Sequence, residues 1–204
     1  MLSTHEERVE EGALADDSER ADVSRQNAKK PMKGAFRKFW QGMLTQKYLQ
    51  HDNQPAQVLP GLFVGSVGAG ANLDALCALS ITHILVASET VAFTFESHGR
   101  FEYYRVSIRD VSSARISYFF EESNAFITGG LKDGGKVLVH CFAGQSRSVT
   151  LVMAYLIAGR HMSFEAALEL VRQVRPQARP NHGFAVQLKA YARQHAAAIP
   201  HDCV

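Results

Sequence analysis

From residue 57 onward, short apolar runs alternate with longer stretches whose apolar positions recur every three or four residues. Leu62-Phe63-Val64 within 57–65, Ile84-Leu85-Val86, the partly alternating stretch 101–108, and Val137-Leu138-Val139-His140 each predict a strand. Between them, 73–79 predicts a helix, and 116–131 predicts a second with Phe120, Ile127 and Leu131 on one side. The stretch 149–158 is apolar almost all round, as a helix buried on every face must be. Gly159 then predicts its stop. Ser163 predicts the N-cap of a helix carrying Ala167, Leu168, Leu170, Val171 and Val174, which ends before Pro176. Asn181 caps a last helix with Phe184, Leu188 and Tyr191. Strands alternating with helices predict an α/β fold, a mostly parallel central sheet flanked by helices on both faces.

The pattern before residue 57 is different. Residues 1–28 hold eight acidic and three basic side chains and few large apolar ones, the composition of a disordered arm. Residues 29–48 carry Lys29, Lys30, Lys33, Arg37, Lys38 and Lys47 and no acid, with Phe36, Phe39, Trp40, Met43, Leu44 and Tyr48 at helical spacing. A basic amphipathic helix of this kind suits calmodulin, an anionic membrane surface, or packing on the chain's own folded part. Residues 51–56 read as a linker, 57–197 as the folded domain and 198–204 as a tail. The whole chain has 204 residues, 46% hydrophobic, and a net charge of +2, too near balance to argue for nucleic acid. Cys77, Cys141 and Cys203 are too few and too far apart for a disulfide framework, which suits a reducing compartment. Met1-Leu2-Ser3-Thr4 opens without an apolar signal core, and no apolar run is long enough for a bilayer span, so cytoplasm or nucleus is expected.

Chemistry concentrates in one place. His140-Cys141-Phe142-Ala143-Gly144-Gln145-Ser146-Arg147-Ser148 joins the end of a strand to the start of the buried helix. Such a junction gathers backbone N–H groups that have no intrahelical acceptor, and the helix dipole adds positive potential. Cys141 at its mouth is therefore expected to favour the thiolate and to face a phosphate-sized hole. Arg147 suits a two-pronged hold on phosphoryl oxygens. Ser148 can donate to the sulfur, and Gly144 lets the backbone turn closely.

The segment resembles the H-C-x-x-G-x-x-R-S/T signature of the cysteine-dependent protein phosphatases through His140, Cys141, Gly144, Arg147 and Ser148. The resemblance covers roughly residues 57–195. Pro60 to Ser66, Tyr118 to Glu122, Arg175-Pro176 and Pro180 to Phe184 are similar to the small, stand-alone dual-specificity phosphatases. It implies Cys141 as nucleophile, Arg147 and residues 142–146 (Phe142, Ala143, Gly144, Gln145, Ser146) as the substrate-binding loop, and His140 orienting that loop. It further implies Asp110, 31 residues before the cysteine, as general acid, and Asn181 as support for the loop. Asn72, which stands where a related polar residue often does, reads better as the cap of the helix starting at Leu73.

The expected reaction is hydrolysis of phosphotyrosine and phosphoserine or phosphothreonine through a cysteinyl-phosphate, with no metal and no cofactor. The uncharged loop positions argue against a polyanionic head group. The alternatives are a phosphoinositide, RNA 5′-phosphate or glucan phosphatase of the same superfamily, and a pseudophosphatase that only binds phosphorylated partners. Phosphorylated proteins are the expected partners, MAP kinases among them. A chain beginning at about Gln54 is expected to keep catalysis, because every candidate site residue lies beyond it.

Overall fold

The computed structural model describes the backbone of residues 34–197 and the side chains of residues 42–196. The acidic arm, the tail and the Phe36, Phe39 and Trp40 side chains lie outside the described residues. Among the described residues, 40–197 form one packed unit.

In chain order the elements are α1 (Gly34–His51), β1 (Ala56–Leu59), β2 (Leu62–Gly65), α2 (Val67–Gly70), α3 (Leu73–Ala78), β3 (His83–Ala87) and β4 (Glu102–Val106). There follow α4 (Phe120–Gly130), β5 (Val137–His140), α5 (Arg147–Arg160), α6 (Phe164–Val174) and α7 (His182–Ala197). The strands lie in the order β1-β2-β5-β3-β4. β2, β5, β3 and β4 run parallel, and β1 is antiparallel at the edge. This is the expected mostly parallel sheet.

Period-two alternation sends neighbouring residues of each strand to opposite faces. Leu62, Val64, Leu85, Val137 and Val139 pack with Phe120, Ile127, Leu151, Val171, Phe184 and Leu188 of α4 to α7. Phe63, Ile84, Val86 and Leu138 face the other way, onto Leu76 of α3 and the returning chain at Val91 and Phe101. Helices therefore cover both faces. α5 crosses the middle of the first face with every residue from Ser148 to Ile157 buried, which its unbroken apolar composition required.

Four expectations change. The stretch 57–65 is not one strand but the β1–β2 hairpin, reversing at Pro60–Gly61 and irregular between Gln57 and Leu59. The stretch 116–131 opens as a 3₁₀ turn, Ile116–Phe119, before α4 begins. Gly159 does not stop α5. The helix runs to Arg160, and His161, left-handed at φ 52°, ends it. The supposed linker at 51–56 is held in place: α1 continues to His51, and the Asp52 carbonyl accepts from Ser66 Oγ at 2.7 Å. Asn72, which caps α3 through Ala75 N–H, also donates to the Asn53 carbonyl at 3.0 Å. Ser163 caps α6 as read, accepting from Ala166 N–H.

Candidate active site

β5 lies between β2 and β3, so the chain leaving His140 emerges at the centre of the sheet's carboxyl edge. Open parallel sheets place their ligands outside that edge. The next six residues form a tight loop that ends where α5 starts at Arg147. What shapes the loop is the fate of its carbonyls. Cys141 O lies 3.4 Å from His140 Nδ1, and Phe142 O accepts from Val67 N–H at 3.1 Å. Ala143 O accepts from Arg175 Nη2 at 3.0 Å and Gly144 O from Arg175 Nε at 2.5 Å. Gln145 O accepts from Arg179 N–H at 2.7 Å, and Ser146 O from Thr150 N–H and Oγ1, both at 2.8 Å.

In a trans peptide the C=O and the following N–H point in opposite directions. Holding the five carbonyls of 141–145 from outside therefore turns the N–H groups of 142–146 to the concave side. No peptide bond is cis among the described residues. The Gly144 N–H shows the result, donating to Cys141 Sγ at 3.2 Å. Gly144 stands at φ +64°, and a Cβ there would collide with the Arg175 guanidinium and the Gly65 carbonyl. Only glycine fits.

Cys141 is 1% exposed, and its sulfur also lies 3.2 Å from Ser148 Oγ. Two groups able to donate thus converge on one sulfur at the N-terminal end of α5. Arg147 projects from the first position of the helix. Its Nε is buried and makes no hydrogen bond among the described residues, with Asp110 Oδ2 at 3.5 Å, an ion-pair distance only. The Arg147 Nη1 reaches Ile108 O at 3.4 Å. A guanidinium so weakly engaged has hydrogen-bonding capacity to spend on an oxyanion.

Asp110 follows β4 on the opposite side of the loop. Its Oδ1 accepts from Ser146 Oγ at 2.7 Å and Asn181 Nδ2 at 2.8 Å. Ser146 Oγ accepts in turn from Asn181 N–H at 3.1 Å, and Asn181 Oδ1 caps α7 through Phe184 N–H at 3.0 Å. Asn181 therefore caps α7, meets the loop at Ser146 through its backbone N–H and reaches Asp110 through its side-chain amide. Ser146 sits at the N-cap of α5 yet makes no side-chain capping bond, because its hydroxyl is given to Asp110. Phe142 packs at the edge of the α3-side core, its ring T-shaped to Tyr48 at 5.4 Å, and Gln145 is exposed.

His140 is 2% exposed and burial lowers its pKa to about 4, so at neutral pH it is uncharged. It lies on the α2 side of the sheet with its ring against Gly70. That placement suits orienting the loop rather than transferring a proton to substrate.

Every candidate residue read from the sequence is thus gathered in one place. Two were missed. Arg175 carries two of the loop carbonyls and is 3% exposed. Asp52 meets its guanidinium at 3.1 and 2.6 Å. In the sequence, Arg175 stands out only within the Arg175-Pro176 resemblance, which attaches no role to its side chain. Nothing in the sequence around Asp52 distinguishes it from a solvated loop acid.

The family "Dual specificity phosphatase, catalytic domain" matches residues 62–194. The chain is 40% identical over 149 residues to dual specificity protein phosphatase 1B of Arabidopsis thaliana, covering 73% of this chain and 88% of that protein. It is 44% identical over 138 residues to MAP kinase phosphatase with leucine-rich repeats protein 3 of Dictyostelium discoideum, covering 67% of this chain but only 16% of that protein. Among solved structures, human tyrosine phosphatase-like serine/threonine/tyrosine-interacting protein superposes with a TM-score of 0.67 at 34% identity, over 71% of this chain and 99% of that one.

Proposed function

The chain belongs to the dual specificity phosphatase family, and from that membership we propose that Cys141, Arg147, Asp110 and Ser148 carry out its protein phosphatase reaction. The phosphoryl dianion of a phosphorylated side chain docks on the N–H groups of 142–146 and on Arg147. Cys141 Sγ attacks phosphorus in line, an S–P bond forms and the P–O bond breaks. Asp110 gives its proton to the leaving oxygen. In the second half Asp110 takes a proton from water, and the water oxygen bonds to phosphorus as the S–P bond breaks. Sulfur leaves as thiolate, and inorganic phosphate departs. Ser148 Oγ, 3.2 Å from the sulfur, steadies the thiolate as nucleophile and then as leaving group.

The observation that carries this reading is a sulfur that accepts the Gly144 N–H inside a loop whose carbonyls from Phe142 to Gln145 are held by other parts of the chain. The test is Cys141→Ser, in which a hydroxyl replaces the thiolate and no comparable nucleophile remains at neutral pH. Turnover of an aryl phosphate should vanish while the fold persists, and retained turnover would sink the assignment. The uncharged Phe142, Ala143, Gln145 and Ser146 favour phosphoprotein over polyanionic head groups. MAP kinases are proposed among the substrates, on the strength of the Dictyostelium relative's name.

The basic segment 29–48 is proposed to reach calmodulin or an anionic membrane. Met43 and Leu44 are exposed on α1, whereas Tyr48 is half-buried against Phe142. Vesicle and calmodulin binding by the isolated segment test that idea, and binding to neither removes it. A cytoplasmic or nuclear location is proposed on the cysteine usage alone.

A further inference from the structure

Arg175 is a buried cation that grips two loop carbonyls, and its only carboxylate partner among the described residues is Asp52. Nη1 and Nη2 each meet one oxygen of that carboxylate, the two-pronged geometry that fixes a guanidinium in plane and rotation. Asp52 is itself fixed, its carbonyl taking Ser66 Oγ and its N–H reaching Tyr48 O at 3.0 Å. A chain of contacts thus runs from the end of α1 to the Ala143 and Gly144 carbonyls, and across those two peptides to the Gly144 and Gln145 N–H groups. Asp52 stands 123 residues from Arg175 and ahead of the family match at 62–194.

We infer that Asp52 is a positioning residue for catalysis: through Arg175 it aims two of the N–H donors that receive the phosphoryl group. The inference rests on the phosphatase reading above and extends the catalytic unit back into the segment preceding β1. It also reverses the expectation for a chain beginning at about Gln54, which would leave Arg175 buried without its carboxylate.

Full-length wild type, Cys141→Ser, Asp52→Asn, Asp52→Glu and Arg175→Lys should be compared with an aryl phosphate as substrate and inorganic phosphate as competitive inhibitor. Active sites are counted as the alkylation that saturating phosphate blocks, so that Cys77, Cys203 and unfolded protein do not enter the rates. Losing one fixed oxyanion donor outright costs about 10²–10³-fold in kcat, and misaiming two should cost roughly 10–10²-fold. Asp52→Asn is therefore expected to lower kcat per titrated site by that amount, with inhibition by inorganic phosphate weakened in parallel. Asp52→Glu should recover part of both.

A purely structural role would lower the melting temperature and the titrated fraction while leaving kcat and phosphate inhibition per site at wild-type values. That result overturns the inference. If Asp52→Asn does not fold, Arg175→Lys carries the comparison, since it keeps the buried charge balanced but cannot span both carbonyls. Wild-type kinetics in that variant overturn the inference equally. Turnover retained by Cys141→Ser would instead remove the phosphatase reading itself, so the two failures are separable.

Discussion

His140 is neutral because it is buried, and that couples the protein's stability to pH. Its folded pKa of about 4 lies below the ordinary value of 6.5, so between these values the unfolded chain binds the extra proton. Stability is therefore full above pH 6.5 and falls as pH drops from 6.5 toward 4, by roughly 3 kcal/mol in total. Urea titrations across this range should show the slope in wild type and lose it in His140→Asn. At Gly144, substitution by alanine forces a side chain onto the Arg175 guanidinium and into a left-handed backbone. Gly144→Ala should lower kcat at least as far as Asp52→Asn does, because it disturbs the same two peptides directly. Asp110→Asn removes the proposed proton donor and the charge beside Arg147, while the amide oxygen can still accept from Ser146 and Asn181. Its kcat should fall by roughly 10²–10⁴-fold for alkyl phosphates and much less for aryl phosphates with acidic phenols. Equal losses across a leaving-group series would show that another group donates the proton.

The segment that carries Asp110 is docked rather than loose. Gln187 of α7 accepts from Ser117 N–H at 3.0 Å and donates to Ala114 O at 2.9 Å. Gly183 lies so close to the Ser112 carbonyl that a Cβ would fall inside it. Gln187→Ala should therefore lower kcat with alkyl phosphates more than with aryl phosphates, while KM changes little, since only the placement of the acid is loosened. A matching rise in KM would mean that α7 supports substrate binding instead. At this scale the sequence was readable wherever periodicity was long or a cap was polar, as in α5, α6, α7 and the caps Asn72, Ser163 and Asn181. It failed where tertiary contacts decided the outcome. The β1–β2 reversal was hidden by apolar residues on both of its arms. The end of α5 moved past Gly159 because His161 takes the left-handed position that glycine usually fills.

Across the whole molecule, Cys141, Arg147 and Asp110, the residues proposed for the chemistry, were legible because they stand in a fixed spacing or a fixed order. The structures that hold them were not. Val67, Arg175 and Arg179 reach the loop from distant parts of the chain, and an arginine that will be buried looks in sequence like any surface arginine. The same is true of Asp52, whose partner is 123 residues away. One consequence concerns the order in which the protein matures. The carbonyls that define the loop are secured from the start of α2 and from the stretch between α6 and α7, and the acid is secured by Asn181. Contacts between such remote positions form late, because loop closure must precede them. A chain still emerging from synthesis, or one nicked before residue 175, holds the complete nine-residue motif and yet lacks the means to shape it. Recovery of turnover on refolding should accordingly trail the return of helical signal and coincide with the last tertiary probe to settle. An intact motif in an unfinished chain is therefore expected to be silent toward an aryl phosphate.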